Sequence, residues 1–155
     1  MTAVSAHALR PRPARHLTRH RLALDGGAAT TLHVAAYALD RTQVRVVRLR
    51  RPMPLEAWCA HEGVDEALVG GFFVRGGADD FVPLGELRTR GVERRSIAFD
   101  APWQSLRACV HACSGDVRIA RRPELPETPR GDLLQAGPLL VRGGEPVRGD
   151  DEGFS

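Results

Sequence analysis

The stretch Leu106-Arg107-Ala108-Cys109-Val110-His111-Ala112-Cys113-Ser114-Gly115-Asp116-Val117-Arg118-Ile119 decides the fold. Its first half alternates in a period of two, which a pleated strand requires and a helix does not tolerate. Ser114-Gly115-Asp116 is a hairpin turn signal, and Val117 to Ile119 resumes the strand. The same grammar extends in both directions. Downstream, Arg122 to Pro129 holds three prolines and reads as a loop; Leu133 to Val141 followed by Gly143-Gly144 is a last strand and turn. Upstream, Leu84 to Thr89 and the residues around Ile97 read as short strands, and Gly76 to Asp80 as a turn. Ala67-Leu68-Val69 reads as a buried strand running into Gly70-Gly71-Phe72-Phe73.

Further back, Pro52-Met53-Pro54 opens a short helix with Leu55, Trp58 and Cys59 on one stripe and Gly63 as its stop. Gln43 to Leu49 is expected to be a strand whose alternation changes phase at Val46-Val47, the mark of a bulge. His20 to Leu24 and Thr30 to Val34 flank Asp25-Gly26-Gly27 as a hairpin. Strands outnumber helices, and the turns between them are too short for parallel crossovers. The expected class is therefore α+β, with a largely antiparallel or mixed β-sheet and few short helices.

A length of 155 residues suits one domain, with roughly two-thirds of the unfolded surface buried on folding. A 43% hydrophobic content excludes wholesale disorder. No apolar run reaches the roughly 18 residues of a membrane span. Residues 1–16 read as a disordered basic lead-in with no apolar leader segment, so the expected setting is cytoplasmic, with no membrane partner.

All basic residues are Arg; Lys and Asn are absent and Ile occurs twice. Those three residue types have A/T-rich codons, so a high-GC bacterial genome explains the bias. Residues 1–51 hold ten Arg against Asp25 and Asp40, a net of +8, and the remainder is −5. The plain account of that asymmetry is a basic tail with solvated strand faces; an anionic ligand or nucleic acid is the alternative. Nucleic acid is not the expected partner, because Tyr37 is the only aromatic in residues 1–51 and offers no stacking platform for a single strand.

Cys59, Cys109 and Cys113 are odd in number, which speaks against a disulfide framework. Cys109, His111 and Cys113 share one strand face, but a flat strand alone cannot bring three ligands within zinc-binding distance of one ion. Neither a metal nor a cofactor is expected.

The chemistry, if any, gathers at glycines. Gly70-Gly71 at a strand end lets a ligand approach the backbone, and successive amides in such a turn suit a phosphate. Pro83-Leu84-Gly85-Glu86-Leu87-Arg88 follows within a dozen residues, and Gln135-Ala136-Gly137-Pro138-Leu139-Leu140-Val141 comes near the end. In this order the motifs resemble the phosphodiester glycosidase family, which comprises uncovering-enzyme-like domains and bacterial proteins associated with exopolysaccharide biosynthesis. The resemblance spans residues 17–145; Val69 stands where the family usually has Asn. The chain ends before the Arg-Thr-Ala and Asp-Gly-Gly-Gly-Ser-like stretches of that family, so residues 17–155 are expected to match only its N-terminal part.

The resemblance implies hydrolysis of a glycosyl phosphodiester in bacterial glycan metabolism, or a non-catalytic sugar-phosphate-binding module. Gly70, Gly71, Phe72, Phe73, Gly85, Gln135, Gly137 and Pro138 are the implied substrate-binding residues. Cleavage at an anomeric carbon passes through an oxocarbenium-like state. The departing phosphate needs charge stabilisation, on the order of 3 kcal/mol per well-placed donor, and a carboxylate must assist water or attack the sugar. Arg88 is the candidate at the phosphate and Glu86 the candidate carboxylate. Asp79-Asp80 are expected in a turn and Asp132 as a loop cap. The two glycine-bent reversals should converge on one cradle.

Overall fold

A computed structural model describes residues 15–49, 51–77 and 81–147. The lead-in expected over residues 1–16 lies outside the described residues except for its last two, which open the first strand. The chain divides into two compact units, Met1–Gln43 and Val44–Ser155.

The first unit is a two-stranded antiparallel ribbon, β1 (Arg15–Ala23) and β2 (Ala29–Tyr37), in continuous register from Arg15 opposite Tyr37 to Ala23 opposite Ala29. The expected turn is there, wound as a single 3-10 turn at Asp25–Gly27 with Gly26 and Gly27 at φ 83° and 82°. Both strands run longer than the alternating residues suggested.

The second unit begins with a correction. Gln43 to Leu49 is not a strand: the segment enters no ladder. Val46 instead donates its N–H to Asp132 Oδ2 at 2.8 Å. β-Propensity prepares a backbone for pairing and cannot supply the neighbour. The helix α1 (Leu55–Glu62) forms as expected, with Pro54 at its entry and Gly63 left-handed at its end (φ 64°). Leu55, Trp58 and Cys59 are the half-buried positions of that helix, and the rest of it is exposed.

The next expectation also fails. Ala67-Leu68-Val69 is neither strand nor buried: Leu68 is 94% exposed and Val69 80%. The ladder begins only at β3 (Phe73–Arg75), which pairs with β4 (Phe81–Pro83). Of the turn expected between them, Ala78, Asp79 and Asp80 lie outside the described residues. The Leu84–Thr89 strand is broken at Gly85 (φ 82°), so Leu84 makes only a single parallel bridge to Ile97, and β5 is Leu87–Thr89.

A five-stranded sheet organises the rest, in the order β6-β5-β9-β7-β8. β6 is Val92–Glu93, β7 Arg107–Cys113, β8 Asp116–Arg121 and β9 Asp132–Pro138. Every ladder in it is antiparallel. The class is thus α+β, with mostly antiparallel sheets and, among the described residues, two short α-helices, the second being α2 (Trp103–Leu106). The β7–β8 hairpin closes through Ser114 (φ 51°) and Gly115 (φ 84°), the two positive φ values that a tight two-residue connection needs. The last expected strand stops at Pro138; Val141-Arg142 (β10) turns through Gly143-Gly144 to pair with Glu145-Pro146 (β11).

The core is small and sits on the central strands. Cys109 and Leu133 are fully buried and cluster with Ala120 and Leu125. Val82, Leu87, Ala108 and Ala112 extend it. The register between β7 and β9 slips by one residue between the pairs Arg107–Pro138 and Cys109–Gln135, a bulge that takes in Ala136 and Gly137.

Candidate functional site

The three glycine-bearing motifs meet at β9. A Cβ on Gly70 would overlap the side chain of Leu134, and one on Gly71 would stand 3.1 Å from Leu134 Cδ1. Leu84 donates its N–H to the Phe72 carbonyl at 2.9 Å, which fastens the Pro83-Leu84-Gly85 bend to the Gly70–Phe73 segment. Gly85 lies against β9 itself: an added Cβ would sit 2.6 Å from the Gln135 carbonyl oxygen and 2.6 Å from Phe99. Gly85 is thus demanded by backbone packing and its positive φ, whereas at Gly70 and Gly71 only the flexible end of Leu134 would have to move.

Gly70 and Gly71 lie in irregular backbone without positive φ, and the space beside these glycines is filled. Leu134 occupies the space beside Gly70 and Gly71, and Phe99 with the β9 backbone occupies that beside Gly85. Gly137 differs, with no atom within 4 Å of where its Cβ would lie. Phe72 and Phe73 are 67% and 54% exposed. Phe73 packs edge-on against Phe81 with ring centroids 5.3 Å apart, and the Arg75 guanidinium lies 5.5 Å above the Phe81 ring.

Gln135 is a keystone of this junction. Only 1% exposed, it accepts from the Glu86 N–H through Oε1 at 3.1 Å and donates Nε2–H to the Gln104 carbonyl at 2.7 Å. Its backbone N–H reaches the Glu86 carbonyl at 2.9 Å. Both ends of the amide are thereby engaged within the fold.

Glu86 and Arg88 are also brought together, as an ion pair. Arg88 Nε donates to Glu86 Oε1 at 2.6 Å, and Arg122 Nε donates to Oε2 at 2.5 Å. Arg88 continues to Glu93 at 2.9 Å, and Arg122 uses its remaining nitrogens on the Pro126 and Glu127 carbonyls. Burial pushes the Glu86 carboxyl up, but the hydrogen bonds and charges of Arg122 and Arg88 outweigh it and leave the group below the ordinary glutamate value. A carboxylate so held stays ionised at neutral pH with both oxygens in use, so it is no proton donor there.

Sequence reasoning missed Arg122, which lies 36 residues from Glu86, and Asp132 as a clamp. Asp132 opens β9 and caps chain outside the sheet; its Oδ2 takes the Val46 N–H and its Oδ1 the Arg90 N–H at 2.5 Å. The only available signal was a lone Asp before an apolar strand.

Cys59, Cys109 and Cys113 are free thiols. Burial, aided by the nearby Glu86 charge and opposed by Arg122, pushes Cys109 up to about 12, so it carries almost no thiolate. His111 donates Nε2–H to the Arg130 carbonyl at 2.7 Å. Among the described residues, no group of three His, Cys, Asp or Glu side chains could hold a metal ion, and no helix is long and apolar enough to cross a membrane. No family model, curated protein or solved structure matches the chain.

Proposed function

We propose that this chain binds glycosyl phosphodiesters at the β9 junction, as a sugar-phosphate-recognition module of the phosphodiester glycosidase type working in the cytoplasm. The observation that supports this reading is the packing of Gly70 and Gly71 on Leu134 and of Gly85 on Gln135, with Leu84 bonded to Phe72 and with Phe72 and Phe73 exposed. The exposed rings offer a face to a sugar, and Arg75 offers a charge to its phosphate.

A second reading, hydrolysis of the sugar–phosphate bond, draws support from the order of the motifs. It requires a carboxylate other than Glu86, whose oxygens are taken by Arg88 and Arg122.

One titration separates the two readings. Hexose 1-phosphodiesters are added to the protein, with binding followed by calorimetry and phosphomonoester release by coupled assay. Binding without release, weakened by about 1 kcal/mol in Phe72→Ala, is the expected result. Release would establish hydrolysis. Neither binding nor release across a panel of sugars would end both readings.

A further inference from the structure

Arg107 opens β7 directly after α2, and its guanidinium lies over two aromatic rings, 5.1 Å from the centroid of Phe99 and 5.8 Å from that of Trp103. Arg107 and both rings are half-buried. The rings are placed by the fold. Phe99 lies against the bend at Gly85, where an added Cβ would come within 2.6 Å of it, and α2 is tied to β9 through the Gln104 carbonyl and Gln135.

The guanidinium itself has no acceptor. Its Nε is buried without a hydrogen-bond partner. Its terminal nitrogens are not sealed off in that way, and they make no hydrogen bond or ion pair with the described residues. Arg88 and Arg122, also half-buried, are both bonded to Glu86. Arg48 has a like buried Nε but stands over no ring among the described residues.

Aromatic rings attract the face of a guanidinium but accept none of its in-plane N–H groups. Nothing nearby supplies a counter-charge. The residues of β9 that face the start of β7 are Ala136, Gly137 and Pro138, and Asp100, beside Phe99, is exposed and forms no ion pair with Arg107. A cation drawn partly out of water without a partner costs free energy. A flat fork of donors, fixed on rings and open at its outer nitrogens, matches the two oxygens of a carboxylate or a phosphate.

We propose that Arg107, over Phe99 and Trp103, is a binding site for a small-molecule oxyanion, a carboxylate or a phosphoryl group, held by the terminal nitrogens of the guanidinium. The site lies within the second unit and goes beyond the glycosyl-phosphodiester reading, which gives Arg107 no part.

The test follows Trp103 fluorescence in the full chain carrying Trp58→Phe, which leaves Trp103 as the sole tryptophan. Sodium phosphate and sodium acetate each replace sodium chloride at constant ionic strength. The expected result is a saturable change with one or both, half-complete on the order of a few millimolar. Whichever saturates at the lower concentration names the ligand as phosphoryl or carboxylate. Arg107→Gln should raise the half-saturation point by about tenfold or more, and Arg107→Lys, which keeps the charge and loses the fork, by about threefold. Arg118→Gln, exposed on β8, should leave it unchanged. No saturable change with either anion overturns the proposal, as does equal half-saturation in Arg107→Gln and the parent, or an equal loss in Arg118→Gln. If Arg107→Gln fails to fold by circular dichroism, Arg107→Lys takes its place, and affinity equal to the parent in that variant overturns the proposal.

Discussion

Glu86 is the residue on which the chemistry of the second unit turns. Between two guanidinium groups, and with its side chain 18% exposed, it is a structural anion. Replacing it by Gln leaves Arg122 without its carboxylate and Arg88 with Glu93 alone, which costs about 1–3 kcal/mol at pH 7. Its pKa is depressed in the fold, so its contribution is complete above the ordinary value near 4.5 and is lost as pH falls through the lower folded value. The stability gap between the parent and Glu86→Gln, read from urea midpoints, should therefore narrow from pH 6 to pH 3. A gap that stays constant over that range would mean the ion pair contributes nothing.

At the level of elements, two tight turns place a non-glycine residue in the left-handed region. Ser114 is one; Arg90 (φ 55°), before Gly91 (φ 77°), is the other, linking β5 to β6. Asn is the preferred residue at such a position, and this chain has none. Arg90→Asn should stabilise the protein by about 0.5–1 kcal/mol in denaturant titration, because the backbone bonds of the turn to Asp132 and Gly131 remain. The elements legible in the sequence were those whose signal is local. Asp25-Gly26-Gly27 and Ser114-Gly115-Asp116 announced their hairpins, and Pro54 and Gly63 bounded the helix. Gln43–Leu49 and Ala67–Val69 have the composition of strands, yet pairing depends on a distant neighbour that composition does not reveal. The same limit applied at the candidate site. The glycines at 70, 71 and 85 stood out in the sequence, whereas the filling of their spaces by Leu134 and Phe99, and the capture of Glu86 by Arg122, are tertiary facts.

On the scale of the whole molecule, the five-stranded sheet draws every partner from residues 87–138, and the Val46–Asp132 clamp lies within the same unit. A chain of residues 44–155 should thus fold alone, with a single cooperative urea transition and a dispersed amide spectrum. A peptide of residues 1–43 should be largely unstructured by circular dichroism. A collapsed spectrum for 44–155 would show that the ribbon is needed to complete that unit.

The place of β9 in the sheet has a consequence for biosynthesis. It is the last of the five strands to leave the ribosome, yet it stands between β5 and β7, which have no ladder with each other. Until Asp132 and its successors emerge, the nascent chain can zip only its local hairpins, and the Val46 amide waits 86 residues for its acceptor. Translation that halts before that point releases two half-sheets with bare inner edges, the kind of product that chaperones and proteases must clear.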